Sequence, residues 1–130
     1  LPESGIFRFV DRRDYDPDRS PPLKITNAPG ANTLMKLIRV GDEVEVMSIF
    51  IRAGQTVEIA VPVGNYRAKL ASGQTWYGDS VRFGPTTSYA ILDAVFSFRI
   101  EGPQLLGHQL TLTRVKGGNL KQRPLTATNF

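Results

Sequence analysis

The stretch that decides the fold is TLMKLIRVGDEVEVMSIFIRAGQTVEIAVPVGNYRAKL, residues 33–70. Apolar residues recur there at every second position, as in Met47, Ile49 and Ile51, and short groups containing glycine separate the runs. A period of two is the pattern of a strand with one buried face. Charged residues alternate with apolar ones in 57–61 and 66–70, which indicates a sheet with one face in solvent. We predict consecutive hairpins that form a meander within one sheet.

Glycine and proline mark the turns between these runs. Gly41 and Asp42 suit a tight two-residue hairpin, because glycine supplies the positive φ that the first turn position requires. Further runs with strand character lie at 23–26, 96–100 and 110–115, while 89–95 is predicted to be a single helical turn. About seven to eight short strands without sustained helical periodicity predict an all-β fold, an antiparallel β-sandwich.

The chain divides by composition into three parts. Residues 1–22 are rich in Pro, Asp and Arg and are predicted to form an extended N-terminal arm, with 6–10 as a candidate edge strand. Residues 23–116 carry the alternating pattern and are assigned to the β-sandwich domain. Residues 117–130 follow as a basic C-terminal tail.

Length and composition restrict the class of protein. A chain of 130 residues with 41% hydrophobic and 22% charged residues fits one globular domain with a core of its own. The absence of cysteine excludes disulfides, thiolate metal sites and a cysteine nucleophile. No apolar run approaches the ~20 residues of a membrane-spanning helix. The chain begins with Leu1 rather than Met, so we expect that a leader, an anchor or another segment was removed.

Motifs for catalysis or metal binding fail on inspection. The sequence DYDPD at 14–18 has the carboxylate spacing that opens a calcium loop, but Arg19 stands where glycine is needed and Ile25 where a bidentate glutamate is needed. The single histidine, His108, has only Gly107 and Gln109 beside it, and a triad or metal site needs more partners. We therefore expect no catalytic residue, no metal site and no cofactor, and we expect that the protein is not an enzyme.

The most informative segment for function is GQTWYGDSVRFG, residues 73–84. It places the only tryptophan, Trp76, beside Tyr77 and close to Arg82, three residue types that dominate binding hot spots. These three are the predicted partner-binding residues. In one interpretation the aromatic pair is an exposed contact surface; in the other Trp76 plugs the core and Tyr77 anchors the loop. The polar neighbours and flanking glycines favour partial exposure of Trp76.

The net charge of +4 suggests an alternative partner. Between residues 102 and 130 the charged side chains are all basic, namely Arg114, Lys116, Lys121 and Arg123. Such a strip can meet nucleic acid or another polyanion. The alternative is a solvated tail without a partner.

Two parts of the sequence resemble the PEGA family of small β-sandwich modules in bacterial and archaeal envelope proteins. Pro29, Gly30 and Ala31 enter a strand, and VEIAVPVGNYRA at 57–68 follows two strands later; the resemblance covers residues 23–71. It implies a non-catalytic binding or structural module of the bacterial envelope or a related assembly, acting through protein or surface contacts. It also implies an extracytoplasmic location, or membrane anchoring through an N-terminal segment. No functional residue carries over, because the family has no defined active site.

Overall fold

The structure, a computed structural model, describes residues 1–10, 15–112 and 122–130. Within these ranges the chain is all-β, with eleven short strands, three short 3-10 turns and no α-helix. The strands are β1 Gly5–Phe9, β2 Pro22–Thr26, β3 Asn32–Arg39, β4 Glu45–Ile51, β5 Thr56–Ala60, β6 Gly64–Gly73, β7 Ser88–Leu92, β8 Phe96–Glu101, β9 Gln104–Leu106, β10 His108–Thr111 and β11 Gln122–Pro124. The all-β prediction is confirmed. The predicted number of strands was too low, because the three-residue strands β9 and β11 are too short to show a period and β7 lies where a helical turn was predicted.

The strands form two sheets. The large sheet has the order β1-β4-β3-β6-β7-β11, with β8 pairing with β6 and with β9, and the small sheet has the order β10-β2-β5. Among the pairs in the described ranges only β10 and β2 are parallel. The predicted single-sheet meander is wrong. Strand β5 pairs with β2 in the small sheet, and β6 pairs with β3 and not with β5. With Val57 buried and Glu58 exposed, β5 suits a sheet with one wet face.

The core explains why β3 and β4 are central. The larger apolar cluster receives Leu23 and Ile25 from the small sheet and Met35 and Ile49 from the large sheet. A second cluster on the opposite face of the large sheet contains Leu34, Phe50, Ala71 and Phe83. Because strands β3 and β4 contribute to both clusters, they are apolar on both faces, and both faces of the sheet must be covered where these strands lie.

The turn between β3 and β4 is wider than predicted. The Arg39 backbone N–H donates to the Val44 carbonyl at 2.8 Å, so four residues rather than two form the turn. The Asp42 carboxylate accepts hydrogen bonds from the Arg39 side chain, at 2.6 Å from Nη2, and from the Val44 backbone N–H. The hydrogen bond from Arg39 holds the pKa of Asp42 below its ordinary value. These bonds to Asp42 stabilise the longer turn, in which both Gly41 and Glu43 have positive φ.

The predicted helical turn at 89–95 is also wrong. Strand β7 occupies Ser88–Leu92 and pairs with β6 on one side and β11 on the other. Leu92 is fully buried in the larger core cluster. Backbone pairing with the edge of β6 stabilises residues 88–92 as a strand. Local periodicity does not show this pairing, because β6 is a separate part of the chain.

Both chain ends belong to the sheets. Strand β1 confirms the edge strand expected near 6–10 and pairs with β4, and Pro22 of the predicted arm already starts β2. At the other end, β11 pairs with β7, and the Leu125 backbone N–H donates to the Tyr89 carbonyl at 3.0 Å. Residues 122–130 therefore lie against the large sheet instead of forming the predicted tail, because the edge of β7 offers unpaired backbone groups. The rest of that tail up to residue 121 lies outside the described residues.

Candidate functional site

The loop between β6 and β7, residues 74–87, covers the second face of the large sheet. It contains its own hydrogen bonds: the Tyr77 N–H donates to the Arg82 carbonyl at 2.7 Å, and the Arg82 N–H donates to the Gly78 carbonyl at 2.6 Å. Gly78 and Arg82 both have positive φ, 111° and 57°. Positive φ is easy for glycine but costs energy for arginine. The hydrogen bonds close a tight turn over residues 77–82, which we call the Tyr77 turn.

Trp76 anchors this turn to the sheet. Its ring makes edge-to-face contacts with Phe7, Phe50 and Phe83, with centroid separations of 5.7, 5.2 and 5.2 Å. The side chain is half-buried and packs against the second core cluster. These are favourable geometries for aromatic pairs. Trp76 thus faces inward at the base of the Tyr77 turn.

Strand β1 supplies two further anchors that sequence reasoning missed. A register shift in the pairing with β4 makes Phe7 an extra residue between two paired positions. Phe7 contacts the Trp76 ring, and the neighbouring Arg8 pairs with Asp79 of the turn at 2.5 Å. Consecutive residues of a regular strand point to opposite faces, and a bulge removes that alternation. The alternation of side chains expected for a regular strand therefore does not indicate that the consecutive residues Phe7 and Arg8 both contact the loop.

Tyr77 presents the exposed surface of the turn. Its side chain is 62% exposed, and Val81 in the same turn is 52% exposed. One edge of the Tyr77 ring lies against Gly84, where an added Cβ would be 3.1 Å from Cε2 of the ring. The ring thus rests on the backbone while the rest of it faces solvent.

Arg82 points away from this exposed surface. Its guanidinium carbon lies 4.8 Å from the ring centroid of Phe130 and 5.7 Å from that of Tyr89. The Nε atom is buried and has no hydrogen-bond partner among the described residues. The structure thus separates the three predicted partner-binding residues: Tyr77 faces solvent, Trp76 packs on the sheet, and the Arg82 guanidinium lies against the adjacent rings of Phe130 and Tyr89.

Of the four basic residues proposed to bind a polyanion, only Arg123 lies within the described residues. Arg114, Lys116 and Lys121 lie outside the described residues. Arg123 on β11 is 60% exposed, and its Nε lies 3.7 Å from the Asp93 carboxylate. That carboxylate reduces the positive potential at Arg123, so this residue alone is a weak polyanion contact.

The remaining candidates have structural roles. His108 Nε2 lies 2.8 Å from the Ser97 carbonyl, and its ring makes edge contacts with Phe96 and Phe98. Asp16 of the failed calcium motif accepts a hydrogen bond from the Asp18 N–H at the start of a 3-10 turn. In the described ranges no three His, Cys, Asp or Glu side chains come close enough to hold a metal ion. Nor do those ranges contain a helix of the length and apolarity needed to cross a membrane.

Two lysines form a further charged feature that the sequence analysis did not single out. Lys36 on β3 and Lys69 on β6 are directly opposite one another in the register of the large sheet. Both donate to main-chain oxygens of the last two residues, Phe130 and Asn129.

Comparison with known proteins adds no relative to these observations. No family model matches the chain, and neither a curated protein nor a solved structure matches it.

Proposed function

We propose that the chain is a non-catalytic β-sandwich module that binds a protein partner through the Tyr77 turn. The observation that carries this proposal is the contrast between two adjacent aromatics: Tyr77 is 62% exposed, whereas Trp76 packs on three rings. An exposed tyrosine on a fixed backbone offers contact area and a hydroxyl with little conformational entropy to lose on binding.

The anchoring of the turn supports this function. Trp76 fixes its base, the ion pair between Arg8 and Asp79 holds its side, and two backbone hydrogen bonds close it. Val81 adds a second exposed apolar side chain. A rigid loop that presents an aromatic and an aliphatic side chain has the composition of a binding hot spot.

The likeness of residues 23–71 to PEGA modules supports the proposed setting. We place the module in the bacterial envelope or a related assembly, extracytoplasmic or anchored through an N-terminal segment, with a protein or the envelope surface as partner.

Photocrosslinking in the source cells tests the proposal. The photoreactive residue p-benzoylphenylalanine replaces Tyr77 in one variant and exposed Val63 in the control, since Val63 lies outside the Tyr77 turn. We expect a discrete crosslinked adduct from position 77 and none from position 63. Excess unlabelled wild-type chain should suppress the adduct, and excess Tyr77→Ala chain should not. Equal crosslinking at both positions, or suppression by the Tyr77→Ala chain, would contradict the proposal.

A further inference from the structure

The two opposed lysines break a general rule of sheet pairing. Lys36 and Lys69 are direct cross-strand partners, and like charges at such positions destabilise an antiparallel pair. Residues 122–130 supply the compensation. Lys69 Nζ donates to the Asn129 oxygen at 2.7 Å, and Lys36 Nζ donates to the Phe130 oxygen at 3.3 Å. Lys36 also lies 3.4 Å from the Glu45 carboxylate.

Phe130 fills an aromatic and cationic environment beside these lysines. Its ring centroid lies 4.2 Å from Lys36 Nζ, 4.8 Å from the Arg82 guanidinium carbon and 5.3 Å from the Tyr89 ring centroid. Lys36 and Arg82 both lie over the Phe130 ring, and a cation over the face of an aromatic ring is attracted to it, more strongly when partly shielded from water. Phe130 is therefore the side-chain anchor of the segment.

The start of the segment is held by the backbone. Gln122, Arg123 and Pro124 pair with β7 in an antiparallel register, and the Leu125 N–H donates to the Tyr89 carbonyl. An extended peptide that adds a strand to a sheet edge and places one side chain in a pocket is a recurring recognition mode. Residues 122–130 thus contact the sheet in the manner of a bound peptide.

We propose that the edge of β7 together with Lys36, Lys69, Arg82 and Tyr89 is a peptide-binding site. Its ligand is a segment that begins as a short strand, continues through a 3-10 turn at the positions of Ala127–Asn129 and carries an aromatic residue six positions after a proline. Residues 122–130 occupy the site within the same chain, and the same segment of a second copy occupies it when the internal segment is released. This inference does not depend on Tyr77 and stands apart from the proposed function.

The weak hold on the segment makes exchange between copies feasible. The three residues of β11 are all exposed, and Phe130 is half-buried. The contacts of the segment are the same whether it comes from one chain or from a neighbour. The segment of the same chain therefore competes better than the segment of a second copy only because its effective concentration at the site is higher.

Binding of a synthetic peptide to loosened full-length variants tests the site. Phe130→Ala removes the aromatic anchor, and Leu125→Pro removes the hydrogen bond to Tyr89 because proline has no N–H. The probe is fluorescent QRPLTATNF, followed by anisotropy. We expect saturable binding to both variants, and at least tenfold weaker binding to the wild-type chain. QRPLTATNA should bind the variants at least tenfold more weakly, and adding Lys69→Met to Phe130→Ala should weaken the QRPLTATNF complex equally.

Mixing two variants tests exchange between copies. The Phe130→Ala chain has an intact site and a weakened segment, whereas the Lys69→Met chain has a weakened site and an intact segment. We expect a heterodimer in native mass spectrometry of the mixture and monomers for each variant alone. The proposal is overturned if neither loosened variant binds the peptide at millimolar concentration, if binding ignores the phenylalanine or Lys69, or if no heterodimer forms. Unfolding of both loosened variants, seen by circular dichroism, would also overturn it, because the segment would then be part of the core.

Discussion

Replacing Trp76 with alanine distinguishes anchoring from partner binding without knowledge of the partner. Full burial of a tryptophan is worth about 3–5 kcal/mol in such a substitution. Trp76 is half-buried, which reduces the burial contribution, but its three edge-to-face contacts each add about 0.5–1.5 kcal/mol when well formed. We expect Trp76→Ala to lower the free energy of unfolding by about 2–3 kcal/mol.

Urea unfolding followed by far-UV circular dichroism measures this loss. Tryptophan fluorescence does not serve for the variant, because Trp76 is the only tryptophan. The thermal midpoint should fall by about 10 °C for a domain of this size. The matched control is Tyr77→Ala, which removes an adjacent and mostly exposed ring and should cost about 0.5 kcal/mol or less.

A loss below about 0.5 kcal/mol for Trp76→Ala would refute the anchoring role, since surface substitutions fall in that range. The wild-type chain offers an independent check. A half-buried indole should show only partial quenching by iodide, whereas complete quenching would place the ring in solvent.

Four further outcomes follow from the structure and composition. Asn27→Ala should lower the free energy of unfolding by about 2–4 kcal/mol in urea titration, because the buried Asn27 side chain donates to the Ala31 and Ile51 carbonyls and both would lose a partner; a loss similar to that of exposed Gln55→Ala would contradict this. The Asp42 carboxyl should titrate by NMR at lower pH than in Arg39→Gln, because the hydrogen bond from Arg39 lowers its folded pKa. That bond stabilises the fold above the ordinary pKa of aspartate and is lost as the pH falls through the folded value; equal midpoints would exclude the effect. Duplex DNA should bind weakly, with a log–log salt slope of roughly −3 to −4 for four phosphate contacts; tight sequence-selective binding at physiological salt would instead favour the nucleic-acid alternative. EDTA should leave the melting temperature unchanged, and a drop of several degrees would reveal a metal site.

Part of the candidate site could be read from the sequence. Trp76 and Tyr77 stand out by residue type and by the flanking glycines Gly73 and Gly78, and the structure places them in one loop. Which of the two faces solvent depends on Phe7, nearly seventy positions earlier in the chain. The opposed lysines escape detection for the same reason, since Lys36 and Lys69 become neighbours only when β3 pairs with β6.

The sequence by itself determined the all-β class and the positions of the longer alternating strands such as β3, β4 and β6, because the alternation of side chains and the backbone freedom of glycine act over a few residues. Only the tertiary structure decided which sheet each strand joined. Examples are the pairing of β5 with β2 in the small sheet and the pairing of β11 with β7 in the large sheet. Pairing connects backbone groups that are distant along the chain. Its outcome depends on which apolar faces cover one another, a property of the assembled core that no local segment contains.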